Sequence, residues 1–213
     1  MNFNGYWKRD SSPVLRDISI RFECGKLYGI SGKVGSGKSS LFMAILGEVP
    51  YCEGQVVKSG TVAFVEQEPV IFTGTFKDNL LFAQAFEPEK YDRTLRCCCL
   101  EEDLGLWKAG DQTEIGERGV TLSGGQKARL ALARALYAEA DIYLLDDPFS
   151  AVDARVGRSL FEGLLKEVVG RKTVVLATHQ THFLSKCDQV TTMENGSILS
   201  THRPSGQLIM EGQ

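Results

Sequence analysis

Leu27-Tyr28-Gly29-Ile30-Ser31 runs without a break into Gly32-Lys33-Val34-Gly35-Ser36-Gly37-Lys38-Ser39, and an apolar helical stretch from Ser39 to Leu46 follows. The first five residues read as a buried strand, and the next eight fit G-x-x-x-x-G-K-[ST]. Each part of that pattern has a physical task. The glycines let successive backbone N–H groups curl round phosphate oxygens, and the positive end of the following helix adds to the attraction. Lys38 brings a compact positive charge to the β- and γ-phosphates. The Ser39 hydroxyl suits Mg²⁺, a hard cation that prefers oxygen ligands. A Gly-rich turn without a ligand is the competing reading, and the strand–loop–helix setting argues against it.

Outward from this loop, strands and helices alternate, which predicts an α/β domain with a mostly parallel central sheet. Ile18–Phe22 reads as a strand joined to Leu27–Ser31 by a Cys24-Gly25 turn, and Gln55–Val57 and Thr61–Glu66 as short strands interrupted at Ser59-Gly60. From about Phe76 to Gly110 the alternation gives way to short helices separated by Pro88 and Gly105, an inserted helical subdomain. A long helix is expected from Ser123 to about Glu139, then a strand at Ile142–Asp146. Asp153 caps an amphipathic helix with Val156, Leu160, Leu164 and Val168 on one face. Thr173–Thr178 is a β-branched strand, and Asn195-Gly196 between Gln189–Glu194 and Ser197–Ser200 is a hairpin signal. The tail beyond Pro204 reads as a short helix or a frayed end.

Composition narrows the function classes. The 213 residues are 43% apolar and 24% charged, an ordinary globular balance that argues against disorder. Lys plus Arg total 24 against 27 for Asp plus Glu, a formal charge of −3, so the basic footprint of a dedicated nucleic-acid binder is missing. No apolar run approaches the ~18–20 residues that span a bilayer, and the first ten residues lack the pattern of a signal peptide. Six cysteines, at 24, 52, 97, 98, 99 and 187, show no C-x-x-C pair. Adjacent side chains on a helix fan out by about 100°, so Cys97–Cys99 is poorly arranged to grip one ion, and reduced thiols are the simpler reading.

Two further motifs specify the chemistry. Ile142-Tyr143-Leu144-Leu145-Asp146 is a hydrophobic strand ending in a carboxylate, a rigid platform from which Asp146 can hold Mg²⁺-bound water beside Ser39. Leu122-Ser123-Gly124-Gly125-Gln126 heads the long helix. Ser123 and Gln126 fit a capping box, but two glycines in a first turn cost about 1 kcal/mol each in propensity. They bare N–H groups at a positive helix end, which would make a second phosphate-binding surface.

In this order, the P-loop, LSGGQ and the LLDDP strand resemble the nucleotide-binding domain of ATP-binding cassette (ABC) transporters over nearly the whole chain. Gly32–Ser40, Leu145–Asp153 and Gly116–Gln126 look like the first cassette of the C subfamily, the multidrug-resistance-associated type. The resemblance implies one domain over 1–213. A P-loop core with a mostly parallel sheet and an antiparallel β subdomain would take 1–75 and 140–213, and the helical subdomain about 76–139. It implies ATP and Mg²⁺ as ligands. ATP contacts fall on Gly32, Lys33, Val34, Gly35, Ser36, Gly37, Lys38, Ser39 and Ser40, with Trp7 (or Tyr6) stacking on adenine. The metal falls to Ser39, Asp146 and Gln67, the last in the Q-loop. Ser123, Gly124, Gly125 and Gln126 would complete the site of an opposite cassette, Ser150–Asp153 would cross between cassettes, and His179 would be the switch histidine. His182 and His202 read as surface residues.

The family resembled usually places a glutamate after the metal-holding aspartate, to polarise the attacking water. Here Asp147 stands in that position. The two acids have similar intrinsic pKa values, so reach differs rather than charge, and a carboxylate about an ångström short loses large factors in rate. First cassettes of the C subfamily, which the chain resembles, typically carry the same Asp. The expectation is Mg-ATP binding with slow hydrolysis at this chain's own loop, with Asp147, His179 and Gln67 as the catalytic set. The implied role is to power an exporter from the cytoplasmic face of a membrane, with transmembrane domains and a second cassette as partners and no nucleic acid. Phe72–Asn79 resembles the stretch that faces the membrane domain, and the chain reads as part of a longer protein. A regulatory ATP-binding module of a channel-type or receptor-type member is the alternative. A soluble ABC ATPase would bring tandem cassettes or basic linkers, and a GTPase an N-K-x-D segment; neither is seen.

Overall fold

Strand β1 spans Phe3–Tyr6, β2 Leu15–Ile18 and β3 Leu27–Ser31; helix α1 (Lys38–Leu46) precedes β4 (Tyr51–Glu53), β5 (Val62–Val65) and the short β6 (Gly74–Thr75). Helices α2 (Phe76–Leu81), α3 (Pro88–Cys97) and α4 (Glu101–Leu106) lead to β7 (Glu114–Ile115) and the long α5 (Gly124–Tyr137). The chain continues through β8 (Ile142–Asp146), α6 (Ala154–Glu167), β9 (Thr173–Ala177), α7 (Thr181–Leu184), β10 (Gln189–Glu194) and β11 (Ser197–His202). The computed structural model describes residues 2–9, 11–116 and 119–204. The tail beyond Pro204 therefore lies outside the described residues.

The main sheet has six strands in the order β11-β10-β3-β9-β8-β5, and every pair except β10–β11 is parallel. Buried on both faces, its central strands read as continuous apolar runs, and successive side chains divide between two cores. Tyr143 and Leu145 of β8, with Val174 and Leu176 of β9, enter a core shared with α2, α3, α5 and α6. Leu144, Val175 and Ala177 enter the other, shared with α1 and the antiparallel sheet β2-β1-β4. This is the mixed α/β architecture expected, a mostly parallel sheet accompanied by an antiparallel one.

Strands β3 and β8 and the Asn195-Gly196 hairpin fall where the sequence pattern put them. Elsewhere tertiary pairing overrides local pattern. The second strand is Leu15–Ile18 rather than Ile18–Phe22, because fully buried Leu15 pairs opposite Gly5 and Ile18 opposite Phe3. Three residue steps thus face two, and the extra residue is taken up as a bulge at Asp17, whose φ is 53°. The Asn4 side chain accepts the Asp17 N–H at 2.8 Å in place of a ladder partner. Gln55–Val57 is exposed loop; Tyr51–Glu53 pairs with β1 instead.

The helical stretch also breaks at other points than expected. Pro88 opens α3 at its first turn, where a missing N–H costs nothing, and Gly105 lies inside α4. The breaks come at Phe82, Ala83 and Cys99, all with positive φ. Of the three adjacent cysteines only Cys97 is helical; Cys98 is the C-cap and is buried. The long helix stops at Tyr137, two residues early, with Glu139 turning left-handed at φ 50°. Asp153 caps α6 as expected, accepting the Arg155 and Val156 N–H groups at 3.0 Å. Among the described residues no helix is long and apolar enough to cross a membrane.

Candidate functional site

Parallel strands deliver their following loops to one rim of the sheet, where open α/β sheets hold ligands. The register makes this concrete. Ile30 of β3 and Asp146 of β8 both pair with Ala177 of β9, while Val65 of β5 pairs with Leu145 of β8. Gly32, Asp147, Thr178 and Gln67 therefore all lie within two residues of the same strand ends.

The loop after β3 folds back over its own lysine. Lys38 Nζ donates to the carbonyls of Gly32 (2.9 Å) and Lys33 (3.0 Å), and the Ser36 N–H donates to the Lys33 carbonyl at 3.1 Å. Val34 at the tip is fully exposed, whereas Ser36 is buried with its hydroxyl lacking a protein partner. A buried hydroxyl without a partner costs free energy unless something polar reaches it. Gly35, Gly37, Lys38, Ser39 and Ser40 line a cavity of about 370 Å³ that none of its lining residues makes acidic. Unpaired loop amides, a helix N-terminus, a lysine and an orphaned hydroxyl suit a phosphate chain.

Ser39 and Asp146 lie side by side. The Ser39 hydroxyl donates to Asp146 Oδ2 at 2.5 Å across 107 residues of sequence. Asp146 is buried, which raises its pKa, against the lowering influence of the Ser39 hydrogen bond and the Lys38 charge. Two oxygen donors converging at a strand end fit a hard divalent cation, whose charge would relieve that burial penalty. Neutralising the carboxyl should therefore stabilise the unliganded chain. Asp146→Asn is expected to raise Tm without nucleotide and to remove any added Tm on addition of Mg-ATP, measured by thermal unfolding with and without Mg-ATP. A lower Tm in the unliganded variant would overturn the desolvation account.

Asp147 follows at φ 46°, a left-handed conformation that aspartate tolerates better than most residues. Its backbone is pinned at both ends. The N–H donates to the Ala177 carbonyl (2.8 Å), and its own carbonyl accepts from the Ser150 hydroxyl at 2.8 Å. Both side-chain oxygens are engaged too: Oδ1 accepts from Thr178 Oγ1 at 2.9 Å, and Oδ2 lies 3.0 Å from His179 Nδ1. His179 is 71% exposed against 13% for Asp147, so the imidazole's other face remains open. In the sequence Thr178 reads only as the end of a strand. Its site role has no local signal, because it depends on β8 and β9 being neighbours.

The LSGGQ segment begins α5, 14 residues long. Ser123 and Gln126 form the reciprocal capping box: Ser123 Oγ accepts the Gln126 N–H at 3.2 Å, and Gln126 Oε1 accepts the Ser123 N–H at 2.9 Å. Gln126 Nε2 donates to Asp103 at 2.8 Å, so its side chain is committed inside the chain. Gly125 has a local reason that the sequence did not disclose: a Cβ there would stand 3.1 Å from the Ala151 carbonyl. Ser123 and Gly124 are exposed at the helix mouth.

These features occur together in a known protein group. The family profile described as ABC transporter matches residues 15–150. The chain belongs to the ABC transporter family. Its relatives include ABC transporter C family member 9 of Arabidopsis thaliana, 50% identical over 91% of this chain and 13% of that protein. ATP-binding cassette sub-family C members 4 and 2 of Homo sapiens are 45% and 44% identical over 93% and 97% of this chain, covering 15% and 14% of those proteins. The chain thus spans about one seventh of the length of the curated relatives it matches.

Within this ABC domain the other residues that the sequence singled out, Trp7 and Gln67, are not among the cavity's lining residues. Trp7 directly follows β1, is 42% exposed, and is not among the cavity's lining residues. Gln67 follows β5 on an exposed bend. Downstream of it, Arg134 of α5 donates to the carbonyls of Asn79 (2.9 Å) and Val70 (3.2 Å) and packs over the Phe72 and Phe82 rings. One half-buried arginine thereby ties α5 to the segment that follows Gln67, a link no local pattern announced.

Proposed function

We propose that this chain is a Mg-ATP-binding cassette that drives a C-type ABC transporter by pairing with a second cassette, and that its own site holds nucleotide longer than it turns it over. The observation carrying the reading is the convergence of the Lys38-closed loop with the Ser39–Asp146 pair at one strand rim. Amides of Gly32–Ser40 and Lys38 would take the phosphates, Ser39, Asp146 and Gln67 the metal, and Trp7 the adenine. The ligand supplies a phosphoanhydride bond whose γ-phosphoryl group the metal and loop make electrophilic when bound. Ser123, Gly124 and Gly125 would face the opposite cassette's nucleotide. The complex sits at the cytoplasmic face of a membrane, with Phe72–Asn79 toward the transmembrane domains.

What supports slow turnover is the engagement of Asp147. Each of its oxygens already has a neighbour, Oδ1 the Thr178 hydroxyl and Oδ2 the His179 ring, so the carboxylate is held toward these partners rather than toward an attacking water. Instead Asp147 orients His179 through Nδ1, leaving Nε2 to face the terminal phosphate. The same arrangement favours the second reading, a regulatory module in which occupancy alone gates a partner. Equilibrium binding to the 213-residue chain tests the common part. Mg-ATP should be retained at micromolar concentrations, and chelation of the metal should weaken retention about tenfold or more. A folded chain that retains no adenine nucleotide, with or without its partner cassette, would overturn the proposal. Steady-state ATPase of the assembled protein separates motor from regulator.

A further inference from the structure

The cavity beside the P-loop is only half explained by the P-loop. Its other wall comes from Pro13, Val14 and Arg16, at and before β2, and from the Asn195-Gly196 turn between β10 and β11. We propose that Arg16 and Asn195 bind the sugar end of the nucleotide, Arg16 the phosphate attached to the ribose and Asn195 the ribose hydroxyls. This rests on the nucleotide reading above and extends it to residues outside the signature motifs.

Three observations carry the assignment. First, the wall is rigidly joined to the loop. The Gly196 N–H donates to the Ser36 carbonyl at 2.9 Å, and the Gly196 carbonyl accepts the Arg16 N–H at 2.8 Å. Asn195 and Gly196 have φ of 49° and 79°, the left-handed pair of a tight hairpin. There is no slack at this junction: a Cβ on Gly196 would lie 2.2 Å from the Val14 carbonyl. Second, the chemistry matches. Lys38 serves the inner phosphate loop, and Arg16 is the cavity's other cation. Its Nε donates to the Pro13 carbonyl at 3.2 Å, which leaves the guanidinium's outer N–H groups without a partner among the described residues. Such a fork recognises phosphate, and an exposed amide can both donate to and accept from a vicinal diol. Third, the direction is right. The Ser39 end of the cavity faces Asp146, while β2 pairs with β1, the strand that runs into Trp7. Arg16 thus sits on the strand paired with the one that runs into the aromatic proposed for adenine, and Asn195 shares its wall of the cavity.

The test compares Mg-ATP with pyrophosphate, which occupies the inner phosphate cradle but has no sugar end. Calorimetric affinities would be measured on the complete 213-residue chain, its Arg16→Gln and Asn195→Gly variants, and Lys38→Ala as a reference. Asn195→Gly suits the left-handed φ, so the turn survives the loss of the amide. Both outer variants are expected to lose about tenfold in Mg-ATP affinity, the effect of one charge-assisted or paired hydrogen bond, and to bind pyrophosphate as the parent does. Lys38→Ala should weaken both ligands. Mg-ATP affinity within twofold of the parent in both outer variants would overturn the proposal, as would an equal loss for both ligands. A parent chain that binds neither ligand would instead remove the nucleotide reading itself.

Discussion

Asp147→Glu is expected to raise ATP turnover at this chain's site by about 100-fold in the assembled protein, with Mg-ATP affinity unchanged or weaker. Aspartate and glutamate do not differ usefully in acidity, so the gain has to come from position. The backbone at 147 cannot adjust, because its N–H and carbonyl are both hydrogen-bonded to β9 and the Ser150 turn. Only the side chain can change its reach. Asp147 ends at Thr178 and His179; one more methylene carries the carboxylate past them, and ~1 Å of misplacement is worth factors near 10². The measurement is single-turnover hydrolysis with the partner cassette's own site inactivated. A glutamate variant that turns over no faster than the parent would refute the reach argument, provided it still binds Mg-ATP.

Arg129→Ala should be the most damaging single change outside the nucleotide site, at about 3–5 kcal/mol of stability. Arg129 donates to Asp103 at 2.6 Å, to the Cys99 carbonyl, and to the Gly125 carbonyl at 3.3 Å. Both members of the Arg129–Asp103 pair are largely shielded, with side chains 15% and 11% exposed. Removing the cation strands a buried carboxylate on Gln126 Nε2, a single neutral donor. In a domain of this size that corresponds to roughly 6–20 °C in Tm. The double variant Arg129→Met with Asp103→Leu should recover most of the loss, since an apolar pair carries no stranded charge. Thermal unfolding of the three proteins decides it. If the double variant were no more stable than Arg129→Ala, the loss would lie in packing rather than in an uncompensated charge.

How far the sequence could be read depended on how local each cause was. The P-loop, the Ser123–Gln126 cap and the Asn195-Gly196 turn are made by residues within a few positions of one another, and each was legible. The β8 strand was too, because five apolar-to-acidic residues in a row admit few other environments. By contrast β2 lies three residues before the expected Ile18–Phe22, since the burial of Leu15 comes from its pairing with β1, which no local pattern shows. Pro88 and Gly105 looked like the breaks in the helical stretch, yet an N1 proline starts helices, and the real breaks sit on Phe82, Ala83 and Cys99. Thr178 on Asp147, Arg129 on Asp103 and Arg134 on Asn79 join residues 31, 26 and 55 apart. Periodicity carries no information about such partners; only the strand order supplies them.

The absence of a side chain at Gly125 lets the Ala151 carbonyl approach the head of α5, and Ser150, one residue earlier, grips Asp147. A substitution at that glycine therefore cannot be interpreted as damage to the proposed trans site alone. It would also jar the chain's own acid through a five-residue linkage, so trans-complementation between two defective cassettes should fail asymmetrically, with the Gly125 lesion dominant over one at the loop lysine.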